Sequence, residues 1–221
     1  MDKNGYTTIN NLKLSPSELV GDIVRGIKDL LPLENPGDLT YTFEPKHNST
    51  LFHSIKKYVE YDINVSHLCS FYLSGTHPTG RIDLVRVVGC RPASQPANDE
   101  QYMLGPQDYR LADAFVLIRP IHDRVTLNLY PGSHTMTCTQ FTQKFNEGSS
   151  PTSETVGRDQ AIVAMSTIWC NWPDDQACLR IEDTILFAFV VYSSGPQEVD
   201  NSDEEEVGCV DETRLVPFTR Y

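Results

Sequence analysis

A chain of 221 residues, 39% hydrophobic and 22% charged, is long and apolar enough to bury one large β-sandwich or barrel core, or at most two small ones. Its formal charge of −12 and pI near 4.8 repel phosphate backbones, which speaks against nucleic acid as a partner. The longest apolar run, Ile185 to Tyr192, is far short of the ~20 residues a membrane helix needs.

Residues Met1 to Leu14 are polar and lack the apolar core of a secretory signal, so an intracellular, cytoplasmic setting is expected, with the nucleus left open. A start signal follows in Ser15-Pro16-Ser17-Glu18, with Ser15 as cap, Pro16 in the first turn and Glu18 completing a capping box. Leu19, Val20, Ile23, Ile27, Leu30 and Leu31 then recur at helical spacing until Pro32. A second helix is expected from Asn48 or Ser49 to about Glu60, with Leu51, Phe52, Ile55, Tyr58 and Val59 inward and Lys56 and Lys57 in water.

Beyond Tyr61 the pattern becomes that of strands. Phe71 to Leu73 and Ile82 to Val88 are rich in β-formers, and Pro92 to Tyr109 has loop composition. Phe115 to Ile118 and Val125 to Tyr130 read as strands around the break Arg119-Pro120-Ile121-His122-Asp123. In the second of these, Val125, Leu127 and Leu129 alternate with Thr126 and Asn128, as in a half-buried strand. A Ser-, Thr- and Gly-rich loop is expected over Asn146 to Gly157, Ala161 to Trp169 is another strand, and the β-branched and aromatic run Thr184 to Tyr192 is a strand buried on both faces. Between Gly195 and Glu212 stand eight acids and no base, a composition that cannot bury enough apolar area to order itself. The resulting expectation is one α+β domain over 1–194, helices at about 15–60 and a jelly-roll body at about 61–194, followed by an acidic, flexible tail at 195–221.

Six cysteines (Cys69, Cys90, Cys138, Cys170, Cys178 and Cys209) form no CxxC pair, and in an intracellular setting they read as reduced, buried thiols. No Gly-x-Ser-x-Gly elbow and no phosphate-cradling glycine loop occurs.

One motif points to a family. Tyr130-Pro131-Gly132-Ser133-His134 follows directly on the alternating strand, and a strand running into Pro-Gly-Ser-His resembles the phytanoyl-CoA dioxygenase branch of the iron and 2-oxoglutarate oxygenases. The resemblance covers roughly Phe115 to Ser193 and implies a cupin-like double-stranded β-helix. Downstream, Gly157-Arg158-Asp159 stands at the family's turn, and Asn171 and Arg180 stand where its Asn and its co-substrate-binding Arg would. At the place of the distal iron-ligand histidine the chain has Trp169 and Cys170, and no histidine occurs after His134. None of His47, His53, His67 and His77 is followed by a carboxylate two places on, so the family's proximal His-x-Asp/Glu pair is missing as well.

A facial triad holds Fe(II) with two imidazoles and one carboxylate. The resemblance without those ligands therefore implies a non-catalytic, oxygenase-derived barrel that binds a small molecule or a protein, with no cofactor expected, and with Trp169, Cys170 and Trp172 lining a pocket. The alternative is an active Fe(II)- and 2-oxoglutarate-dependent dioxygenase with an atypical site, in which His122, Asp123 and His134 hold the metal and Arg180 and Asn171 the co-substrate. Against this, His122-Asp123 also reads as a polar turn between strands. A third reading is a structural or assembly β-sandwich without a pocket. Neither nucleic acid nor membrane is expected as a partner.

Overall fold

The computed structural model describes residues 3–28, 40–73, 81–90, 102–103, 113–121, 123–171, 185–194 and 214–215. Eleven strands and four α-helices lie among them: β1 (Tyr6–Ile9), α1 (Ser17–Lys28), β2 (Thr40–Glu44), α2 (Thr50–Val59), α3 (Val65–Tyr72), β3 (Arg81–Cys90), β4 (Tyr102–Met103), β5 (Ala114–Pro120), β6 (Arg124–Leu129), α4 (Cys138–Asn146), β7 (Thr152–Gly157), β8 (Ala161–Met165), β9 (Trp169–Asn171), β10 (Ile185–Ser193) and β11 (Arg214–Leu215).

The strands form two antiparallel sheets, seven-stranded in the order β1-β8-β5-β10-β3-β2-β11 and four-stranded in the order β4-β9-β6-β7. Along the chain, β3, β5, β8 and β10 belong to the first sheet, while β4, β6, β7 and β9 belong to the second. This winding between two facing sheets is the expected jelly-roll, double-stranded β-helix body.

Strand alternation builds two cores from one set of strands. On β10, Phe187, Phe189 and Val191 point between the sheets, while Ala188, Val190 and Tyr192 face the helices. The run expected to be buried on both faces is so. Tyr6, Ala114, Val116, Ile118, Val125, Leu127, Leu129, Val156, Ile162, Ala164, Ile168 and Cys170 complete the layer between the sheets. On the other face of the first sheet, α1 contributes Leu19, Ile23 and Ile27, and α2 contributes Phe52, Ile55, Tyr58 and Val59.

The caps explain the helix starts unevenly. Ser49 Oγ accepts the Phe52 N–H at 3.1 Å, as expected for α2. Ser15 does not cap α1, because its Oγ is buried without a hydrogen-bond partner. The expected order of helices first and strands afterwards also needs correction: β1 precedes α1, and β2 lies between α1 and α2. Phe71 and Tyr72 belong to α3 rather than to a strand, since Asn64 Oδ1 accepts the His67 N–H at 3.1 Å and starts a helix there. No helix among the described residues is long and apolar enough to cross a membrane.

Candidate functional site at the mouth of the barrel

The end of β6 and the start of β9 meet at one mouth of the barrel, where Leu129 pairs with Cys170. There the chain turns through Pro131 and Gly132, the latter at φ +76° in the left-handed region, into a short 3-10 turn at Ser133–Thr135. The turn is a hydrogen-bonded splice. Buried Ser133 accepts the Trp169 N–H on its Oγ at 3.0 Å. The Trp169 carbonyl accepts the Tyr130 N–H at 3.0 Å, and Thr167 Oγ1 donates to the His134 carbonyl at 3.0 Å. Gly132 N–H reaches Asn4 O at 3.0 Å.

Consecutive residues of β9 face opposite ways. Trp169 points away from the barrel and stacks on Phe141 of α4, with centroids 4.4 Å apart and planes 7° from parallel. Tyr130 meets the same Phe141 edge-on at 5.0 Å. The helix that covers this aromatic cluster starts with a capping box between Thr137 and Gln140. Cys170 points between the sheets, is fully buried, and has its thiol pKa pushed well up by the apolar surroundings. Trp169 and Cys170 therefore do not line one pocket, and Trp172 lies outside the described residues. Cys69 and Cys170 are free, buried thiols, as expected.

The expected metal residues are spread along β6. Asp123 stands just before the strand, its side chain 84% exposed and its carboxylate 3.4 Å from Arg158 Nε. His134 stands beyond the other end. Six strand residues separate them, a rise of about 20 Å. His122 lies outside the described residues, as does Arg180, and Asn171 is described only as the strand residue paired with Asn128. Among the described residues no three His, Cys, Asp or Glu side chains come together as metal ligands. His47, His53 and His67 belong to the helical layer, at or on α2 and α3, outside the barrel. The two-imidazole, one-carboxylate donor set thus does not fit the described side chains.

Sequence reading missed a second polar centre. Arg119, read as part of a break, is the last but one residue of β5 and fully buried. It points to the helical side with Phe115 and Leu117. Its Nη1 donates to Tyr61 O, and its Nη2 to Lys13 O at 2.6 Å and Arg158 O at 3.2 Å. The rings of Tyr58 and Tyr61 lie 5.6 and 5.9 Å from its Cζ. Burial lowers its pKa, against the opposing pull of Tyr58, Asp62 and Tyr61. Burial likewise raises Tyr58, whose hydroxyl donates to Pro120 O, to about 12. All three Arg119 acceptors are backbone carbonyls, so this centre ties chain segments together, while its buried Nε has no hydrogen-bond partner among the described residues. The alternation Phe115, Leu117, Arg119 was the available signal.

No family model matches the chain, and no curated protein does. Solved structures do match. HygX from Streptomyces hygroscopicus, with nickel, 2-oxoglutarate and hygromycin B bound, aligns over 97% of this chain and 93% of its own at 12% identity and a TM-score of 0.55. The non-heme alpha ketoglutarate dependent carbocyclase SnoK of nogalamycin biosynthesis aligns over 90% and 85% at 11% identity and a TM-score of 0.55. The epimerase SnoN of nogalamycin biosynthesis, described in the same terms, aligns over 96% and 89% at 10% identity and a TM-score of 0.51.

The fold is that of the 2-oxoglutarate oxygenases. HygX has been solved with iron as well as with nickel and 2-oxoglutarate. The expectation of no cofactor, which followed from missing ligands alone, is corrected on that ground, since HygX, a barrel of this fold, binds iron or nickel and 2-oxoglutarate.

Proposed function

We propose that this chain is an Fe(II)- and 2-oxoglutarate-dependent oxygenase with an atypical metal site, acting on a small molecule. The single observation that carries the reading is the fold, which aligns over 97% of this chain with HygX, solved with 2-oxoglutarate bound, and over 90% with the alpha ketoglutarate dependent carbocyclase SnoK. The Pro-Gly-Ser-His turn at the end of β6 favours the phytanoyl-CoA dioxygenase branch within that class. The described side chains do not form the usual donor set, and the separation of Asp123 from His134 leaves at most one of them to any one ion.

The test is an anaerobic titration of the purified protein with Fe(II) and 2-oxoglutarate, read by visible absorbance and by melting temperature. A charge-transfer band together with a raised Tm is expected. Neither band nor shift at millimolar ligand would remove the proposal.

One observation favours a second reading, a barrel that binds a small molecule or a protein without oxidising it. The described core between the sheets is largely apolar, with the Cys170 thiol, Tyr6 and, at the end of β10, buried Ser193 among its polar groups. Under this reading the titration shifts the Tm without turnover of 2-oxoglutarate in air.

A further inference from the structure

Strand β1 is terminal in its sheet, with β8 on one side, and its ladder is four residues long, from Tyr6 opposite Ala164 to Ile9 opposite Ala161. Even so, Tyr6 belongs to the core between the sheets. Its hydroxyl donates to Glu154 Oε1 at 3.0 Å, and Glu154 lies on β7, the terminal strand of the other sheet. Residues 3–9 therefore bridge the seam where the edges of the two sheets meet.

The residues leading into β1 are fastened to the Pro-Gly-Ser-His turn. Asn4 O accepts the Gly132 N–H, and Gly5 O accepts the Met165 N–H at 2.8 Å. Gly5, at φ +83°, lies directly against the His134 ring: a Cβ there would fall 2.7 Å from the ring Cγ, a distance no real side chain tolerates. His134 is itself held by Thr167 through its carbonyl. The ring is thus wedged against the segment and not directed across the barrel towards Asp123.

We infer that residues 3–9 are a strap that closes the seam of the barrel and opens on its own, with His134 as its latch. The physical ground is a contrast in anchoring. Strap and β8 share one short ladder, whereas β5 and β10 are paired on both sides and their described residues are buried throughout. Segments with one-sided pairing and few buried contacts open at lower free energy than the strands behind them. An open strap withdraws Tyr6 from beside Ile162 and Ala164 and gives small apolar molecules a lateral way to the layer between the sheets. This goes beyond the oxygenase reading and does not depend on it.

Hydrogen exchange of the full chain, followed by mass spectrometry, tests it. The amides of residues 6–9 are expected to exchange at least ten-fold faster than those of β5 and β10, at a rate that low urea leaves unchanged. His134→Ala is expected to raise the strap rate about ten-fold further with β5 and β10 unaltered, and Gly5→Ala to do the same by displacing the ring. Strap amides that exchange in step with β5 and β10 in the wild type would overturn the proposal. So would an unchanged strap rate in His134→Ala, above all if that variant lost Fe(II) binding instead, which would give the ring to a metal. Should His134→Ala fail to fold, the urea dependence of the wild-type strap decides the matter.

Discussion

Replacing Arg119 by methionine removes a buried cation while keeping much of its volume. Three carbonyls, those of Tyr61, Lys13 and Arg158, lose their donor at once. Hydrogen bonds from a charged donor contribute about 1.5–3 kcal/mol each, and the two tyrosine rings add about 0.5–1 kcal/mol each. Against this stands the cost of keeping a guanidinium out of water, which methionine does not incur. The sum favours a loss of about 3–5 kcal/mol, a large part of the roughly 5–15 kcal/mol that holds a typical domain. At about 2–4 °C per kcal/mol for a chain of this size, the Tm should drop by about 6–20 °C. Arg119→Lys should fall between wild type and methionine, because one ammonium on a flexible stem does not serve three carbonyls from three segments. Urea unfolding followed by far-UV circular dichroism measures the difference. A loss under about 1 kcal/mol for Arg119→Met would show that the centre is dispensable and that the carbonyls find water.

Alkaline pH should weaken the fold through Tyr58. Its pKa is about 12 when folded and near 10.0 when unfolded, so between those values the unfolded chain has released a proton that the folded one retains. Stability is full below pH 10 and falls as pH rises towards 12, by about 3 kcal/mol from this group. Tyr192 is raised by burial and by Glu60 and adds in the same direction. Tyr58→Phe should therefore flatten the pH dependence of urea stability above pH 10 without abolishing it, and an unchanged slope would refute the assignment. For the metal, Asp123→Ala and His134→Ala should not both abolish the Fe(II) and 2-oxoglutarate absorbance band, given the length of β6 between them. Loss of the band in both, with each variant folded, would contradict the geometry.

Legibility in the sequence followed the strength of local patterns. The alternation of β6, the dense apolar run of β10 and the Ser49 cap of α2 each carry their own signal, and each was readable. β1 and β2 were not, because strands of four and five residues show too few periods to stand out from a loop. In α3 the β-formers Phe71 and Tyr72 concealed a helix that Asn64 had already started, so the cap was the better guide. α4 announces itself as Thr137-x-x-Gln140, a capping box that was present and overlooked. The candidate site was harder to read for a physical reason. Asp123 and His134 are close in sequence, yet an extended strand converts the few residues between them into distance. Arg119 failed the opposite way: it sits in phase with Phe115 and Leu117, and its charge made it resemble a break.

The Pro-Gly-Ser-His tetrapeptide acts in this chain through its serine. Strand β9 is three residues long, and a slip of one residue would exchange Trp169 and Cys170 between the aromatic cluster and the barrel interior. Ser133 Oγ pins the register by accepting the Trp169 N–H, while the Tyr130 N–H holds the carbonyl of the same residue. Removing the hydroxyl leaves a buried N–H without an acceptor, which costs about 1–3 kcal/mol. Ser133→Ala in a Trp172→Phe background isolates the Trp169 emission. With the register loosened, that emission should move to longer wavelength as the stack on Phe141 admits water, and urea stability should fall by about 1–3 kcal/mol. Unchanged emission and stability would mean that α4 alone sets the register. The serine would then have no structural task, and the motif's part in the fold would rest on Gly132 and His134 against residues 3–9.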